Sequence, residues 1–121
     1  MSKLLKRARE TLTIEIEGLE EISKRLDEKF EQAVNILYDC QGKIILAGMG
    51  KSGLIAQKIA ATLTSTGTPS LFLHAGESSH GDLGIITRND AIITFSYSGE
   101  TDEVLQMIGH VNVLGIPMIA I

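Results

Sequence analysis

Apolar residues recur every three or four positions from Leu5 through Ala8, Leu12, Ile16, Leu19, Ile22, Leu26, Phe30 and Ala33 to Leu37, among charged, helix-favouring neighbours. That spacing lays one apolar stripe along a helix. It predicts either a single helix across 3–38 or two helices joined near Ser23–Asp27. Gly18 lowers helix propensity by about 1 kcal/mol relative to alanine and marks another place for a break. The stripe has two readings: packing on its own domain, or a subunit interface, since it is longer than a small core needs.

Past Gly42 the pattern changes. Lys43–Ala47 reads as a buried strand, Ser52–Ser65 as a helix with Ile55, Ile59, Ala60 and Leu63 on one face, and Thr66–Pro69 as a turn. Ser70–Leu73 is a second strand, followed by a long polar loop from His74 to Gly84. Asp90–Ser96 is a third strand, Glu100–His110 a helix, and Ile116–Ile121 the start of a fourth strand. Strands alternating with helices predict an α/β fold with a parallel sheet. The expected organisation is an N-terminal helical segment at 1–40 followed by an α/β domain at 41–121. Pro117–Ile121 reads as a buried parallel strand with nothing after it. A parallel sheet needs both faces covered, so the expectation is a fragment of a longer protein.

Composition narrows the function. The 121 residues suit one domain, and 44% apolar with 21% charged content is ordinary for a soluble globular chain. A net charge of −4 argues against nonspecific nucleic-acid binding, so an anionic ligand needs a locally built site. No apolar run reaches the roughly 20 residues that cross a bilayer, and no signal peptide is visible. The single cysteine, Cys40, cannot form an internal disulfide and is read as a buried or helix-end residue with no redox role. The expected location is the cytoplasm.

Two short stretches carry the candidate chemistry. Gly48-Met49-Gly50-Lys51-Ser52-Gly53 and Ser96-Tyr97-Ser98-Gly99-Glu100-Thr101 each follow an apolar strand and precede a helix. Both therefore fall where open α/β sheets bind ligands. Glycine-turn amides and hydroxyls at a helix N-terminus suit a phosphate. The first stretch formally matches a dinucleotide fingerprint, but no acid ends the second strand, which runs Leu71-Phe72-Leu73-His74. It also resembles the end of a P-loop, but Ile45 stands where that motif needs its first glycine. Lys51 and Ser52 are read as phosphate or sugar contacts, against a solvated lysine and a plain N-cap. A capping box would explain one serine and one acid of the second stretch and leave Ser96 without a role.

The loop His74–Asp82 carries Glu77, His80 and Asp82 besides His74. His80 is a candidate acid–base group, Asp82 either its orienter or a cap for the next element, and His74 a strand-end residue in local hydrogen bonding. No spacing fixes these groups as a metal site, and none is expected. Glu103, one helical turn beyond Gly99, is either a cleft residue or a solvated acid.

Taken together, Gly48–Gly53, Ser65-Thr-Gly-Thr-Pro69, Glu77-Ser-Ser-His-Gly-Asp-Leu-Gly84 and Ser96–Thr101 resemble the sugar isomerase (SIS) domain, and more narrowly the arabinose-5-phosphate isomerases of the KpsF/GutQ type. The resemblance implies a flavodoxin-like three-layer αβα sandwich, here cut within the fourth strand. It implies an aldose–ketose isomerase that interconverts D-arabinose 5-phosphate and D-ribulose 5-phosphate without a cofactor or metal. Such enzymes feed lipopolysaccharide or capsule precursor synthesis, or accompany sugar-alcohol uptake. On this sequence Gly50, Ser52, Ser96, Ser98 and Thr101 match substrate-binding positions, and Lys51, His80 and Glu103 match catalytic ones. The family has a further glutamate and histidine beyond Ile121, often a pair of CBS modules, and is typically tetrameric. The competing readings are a related phosphosugar isomerase and a regulatory SIS module that binds a sugar phosphate without turning it over.

Overall fold

The computed structural model describes residues 2–76, 81–96 and 102–121. In chain order the elements are α1 (Lys3–Arg25), α2 (Glu28–Tyr38), β1 (Ile44–Gly48), α3 (Gly50–Ser65), β2 (Ser70–His74), a 3₁₀ turn (Asp82–Ile85), β3 (Ala91–Thr94), α4 (Asp102–Leu114) and β4 (Met118–Ala120). The chain divides into two compact units, Met1–Gln32 and Ala33–Ile121.

The N-terminal stripe forms two helices. Ser2 caps the first by accepting a hydrogen bond from the Leu5 amide at 3.2 Å. Gly18 lies inside α1 without breaking it, because one glycine's cost is outweighed by the Leu, Glu, Lys and Arg residues around it. The break falls at Leu26, which is extended, and Asp27, whose carboxylate accepts from the Lys29 amide at 3.0 Å to start α2. No residue of α1 is buried, and Leu12, Ile16, Leu19 and Ile22 are all exposed.

The second unit is built on a four-stranded parallel sheet in the order β2-β1-β3-β4. Its central strands are apolar throughout, as burial on both faces demands. Alternate residues serve opposite layers. Ile45, Ala47, Leu73 and Ile92 pack with Met107 and Val111 of α4, while Ile44, Leu46 and Ile93 pack with Ala56 and Ala60 of α3. Leu37 and Cys40 join the second layer from the end of α2. Each fully enclosed Ile or Leu contributes about 1.5–3 kcal/mol of burial free energy. This is the expected three-layer α/β arrangement. The β3 ladder is shorter than the apolar run, but backbone pairing continues past it. The Phe95 amide donates to the Ala47 carbonyl at 2.9 Å and the Ser96 amide to the Ile121 carbonyl at 3.1 Å. Asp82–Ile85, read as loop from the sequence, closes into the 3₁₀ turn.

Chain order and sheet order together position the ligand side. From β1 the chain passes through α3 to β2, then recrosses β1 to reach β3. Connections leaving β1 and β3 therefore diverge, and the crevice between them lies at the C-terminal strand ends. The turn entering α3 depends on three glycines. A Cβ on Gly48 would stand 3.0 Å from the Gly53 nitrogen, and one on Gly53 would stand 3.2 Å from the Gly48 carbonyl carbon. Strand end and first helical turn thus meet backbone to backbone. Gly50 between them has φ +59, a conformation that costs an L side chain about 1–2 kcal/mol.

The opposite end of the sheet is pinned by Asp90, only 2% exposed. Its Oδ1 accepts from the Lys43 amide at 2.9 Å, and its Oδ2 accepts from the Thr87 amide and the Lys43 ammonium, both at 2.7 Å. The carboxylate so joins the turn before β1 to the head of β3. Burial alone would raise its pKa. The Lys43 ammonium, the Thr87 and Lys43 amides and the Lys43 charge together outweigh burial and hold it below the ordinary value. Gly42 leaves room for this group, since a Cβ there would collide with Oδ1 and with the Asn89 backbone.

These contacts set expectations for stability. Asp90→Asn should destabilise the protein by about 1–3 kcal/mol at pH 7 in urea melts, because buried donors lose their acceptor. A depressed carboxylate pKa stabilises the fold above the unfolded value near 4 and loses that contribution as pH falls through the folded value. The gap between wild type and Asp90→Asn should therefore narrow below about pH 4; a gap constant with pH would remove the carboxylate's charge from the account. Alanine at Gly53 should cost about 1–3 kcal/mol despite its better helix propensity, because the close approach to Gly48 must open. The same change at Gly109 in α4, where nothing lies within 4 Å of a new Cβ, should stabilise by about 0.5–1 kcal/mol.

Candidate functional site

The first turn of α3 is an anion-binding surface by construction. Met49 holds the N-cap position in an extended conformation and supplies no side-chain cap. The first helical hydrogen bond runs from the Gly53 amide to the Met49 carbonyl at 3.1 Å, so the Gly50, Lys51 and Ser52 amides precede the helical ladder. Those donors and the positive end of the helix dipole suit a phosphate. Ser52 is not the N-cap. It lies in the first helical turn, half-buried, with its hydroxyl and amide on the same turn. Lys51 is exposed beside it and forms no ion pair among the described residues. Gly50 is exposed and in the left-handed region, as a sharp strand-to-helix turn requires.

Ser96 stands across the crevice at the end of β3, half-buried, its amide anchored on the Ile121 carbonyl. The hydroxyl-bearing residue that the capping-box reading left unused thus sits where the strand ladder ends. Glu103 is the second residue of α4 and half-buried, which sets it apart from its exposed neighbour Asp102. His80, Ser98 and Thr101, with Glu77, lie outside the described residues. Asp82 opens the 3₁₀ turn and is exposed. Cys40 is half-buried at the far end of the sheet, its thiol facing the carbonyls of Lys43 at 3.6 Å and Asn89 at 3.4 Å. Among the described residues, no three His, Cys, Asp or Glu side chains gather to hold a metal ion, and no helix is long and apolar enough to cross a membrane.

Two buried polar atoms lack a partner among the described residues, His74 Nδ1 and Thr94 Oγ1. Each belongs to the last residue of a parallel strand, so unspent hydrogen-bonding capacity collects on the ligand side of the sheet. The expected local hydrogen bond of His74 is absent at Nδ1 among the described residues. The ring instead meets Phe72 edge to face, with centroids 6.2 Å apart, and Gly76 folds over its Nδ1 edge. His74 pairs in register with Gly48, and the Ala75 amide donates to the Gly48 carbonyl at 3.1 Å. The end of β2 is thereby fastened to the glycine turn. Nothing in strand periodicity separates such a histidine from an inert one. The available signal was its place, a polar ring ending an apolar strand next to a phosphate turn.

The chain is similar to known proteins along nearly all of its length. The SIS domain model matches residues 36–121. The arabinose 5-phosphate isomerase KpsF of Escherichia coli O6:H1 strain CFT073 is 46% identical over 119 residues, spanning 98% of this chain and 36% of that protein. The arabinose 5-phosphate isomerase KdsD of Francisella tularensis is 44% identical over 124 residues, spanning 100% of this chain and 38% of that protein. The chain thus spans little more than a third of the curated relatives it matches. A solved structure of an E. coli CFT073 protein in complex with arabinose 5-phosphate superimposes with a TM-score of 0.89 at 38% identity, over 99% of this chain and 65% of that one. With the domain model covering most of its residues, the chain belongs to the SIS domain family.

Proposed function

We propose that the protein is an arabinose 5-phosphate isomerase, interconverting D-arabinose 5-phosphate and D-ribulose 5-phosphate through an enediol. The observation that carries this reading is the 46% identity to a curated isomerase of that name across 98% of the chain. The uncapped first turn of α3 supports it independently, because it offers amides, a hydroxyl and a lysine to a phosphorylated ligand at the switch point of the sheet.

In the proposed reaction Gly50, Ser52, Ser96, Ser98 and Thr101 hold the phosphate and sugar hydroxyls. The aldose opens, its C2 proton leaves to a base, and the resulting enediolate takes a proton at C1 to give the ketose. Lys51 stabilises the negative charge on oxygen, a role supported by its exposed ammonium in the first turn of α3. His80 assists ring opening or shuttles a proton. Glu103 acts as base or positions a hydroxyl, and its half-buried place at the start of α4 supports either role. No cofactor takes part. The enzyme works in the cytoplasm as a homo-oligomer, a tetramer by family resemblance, and the exposed apolar stripe of α1 supports self-association. Its product supplies Kdo for lipopolysaccharide or capsule.

Proton exchange tests the reaction. Protein from the complete gene, given D-arabinose 5-phosphate in D2O, should place deuterium beside the carbonyl and yield ribulose 5-phosphate by NMR. Binding without exchange would make this a sensor domain instead. Lys51→Ala should lower kcat by at least about 100-fold with an unchanged melting curve; near-normal turnover would remove Lys51 from the mechanism.

A further inference from the structure

His74 carries chemistry that neither the phosphate turn nor the core absorbs. It ends β2 on the α3 side of the sheet, level with Gly48. Its Nδ1 is enclosed and unpaired among the described residues, whereas Nε2 is not one of the buried atoms lacking a partner and the residue as a whole is only half-buried. A Cβ on Gly76 would lie 3.3 Å from Nδ1 and 3.7 Å from Met49 Cε, so the turn after β2 and the N-cap residue of α3 enclose this corner.

This asymmetry fixes the tautomer. A neutral imidazole carries one N–H and one bare lone pair. A proton on Nδ1 would be a buried donor with no acceptor, which is the rarer and costlier defect. The proton therefore belongs on Nε2, the other nitrogen of this half-buried ring at the C-terminal end of β2. Phe72 and Gly76 hold the ring in place, so the donor is preorganised.

We infer that His74 is a further substrate-contacting residue of the isomerisation, donating from Nε2 to the carbonyl oxygen of the open-chain sugar. The inference rests on the isomerase reading above. As the C2 proton leaves, negative charge grows on that oxygen, and a fixed neutral donor stabilises it without giving up its own proton. A neutral histidine serves this purpose in triosephosphate isomerase, which runs the same class of enediol chemistry. The proton stays on Nε2 throughout; the C2 proton travels through the separate base to C1, and the C2 hydroxyl proton passes to the C1 oxygen within the enediolate.

The test uses three variants of the protein from the complete gene. His74→Phe keeps an aromatic ring against Phe72 and should lower kcat by about 100- to 1000-fold with little change in KM. His74→Gln sets an amide N–H near the Nε2 position and should recover at least about tenfold of that loss. His74→Asn sets its amide near Nδ1 and should recover none. Long-range 1H–15N NMR of the unliganded protein should show the proton on Nε2. The inference is overturned by wild-type-like kcat in His74→Phe, by equal rates in the Gln and Asn variants, by an effect confined to KM, or by a proton on Nδ1. An active wild type with an equally active His74→Phe would sink the His74 role alone. A wild type that leaves arabinose 5-phosphate unchanged would remove the isomerase reading and this role with it.

Discussion

The ligand side of this domain depends on one contact, the backbone-to-backbone approach of β1 and the first turn of α3. Gly48 and Gly53 leave no space for side chains between them. That approach brings the helix start down onto the C-terminal end of β1, beside the crevice. Gly50 makes the turn tight enough, and the absence of a side-chain cap leaves the donors unspent. A serine or aspartate at position 49 would satisfy the same amides internally and compete with a phosphate. Stability of the isolated helix start and affinity for an anion are here drawn from the same N–H groups.

The two ends of the sheet divide the work. At the N-terminal strand ends Asp90 gathers three donors on one carboxylate. At the C-terminal ends His74 and Thr94 keep buried polar atoms without partners among the described residues. Rigidity at one end permits incomplete bonding at the other, since an unpaired buried group survives only where its surroundings hold the chain in place. At the end of β3 the Ser96 amide is fixed on the Ile121 carbonyl, so the pairing runs up to the ligand side.

Much of this was legible in the chain. Lys43–Ala47, Ser70–Leu73 and the helix after Gly50 declared themselves because burial on both faces leaves uninterrupted apolar runs, and amphipathic spacing fills the segment between them. The glycine turn was legible because Gly48, Gly50 and Gly53 had no local reason to be there. The join at Leu26–Asp27 falls within the Ser23–Asp27 stretch that the spacing marked, and is set locally by Asp27. Other features depended on distant partners. Asp90 looked like the polar start of a strand, and only the fold brings Lys43 and Thr87 around it. His74 looked like an ordinary strand end, because its unpaired nitrogen is created by the turn at Gly76. His80, Ser98 and Thr101 rest on the motif alone.

The collision between a side chain at position 42 and the Asp90 carboxylate has an evolutionary corollary. Gly42 is held by occupied space, not by an unusual backbone angle, since its φ is not positive. Any larger residue there is incompatible with Asp90, and any residue other than Asp at 90 strands the Lys43 and Thr87 donors. The carboxylate thus constrains a position far away in sequence, yet a lineage that lost it would still need glycine at 42, because the Asn89 carbonyl oxygen would stand 2.7 Å from a Cβ there.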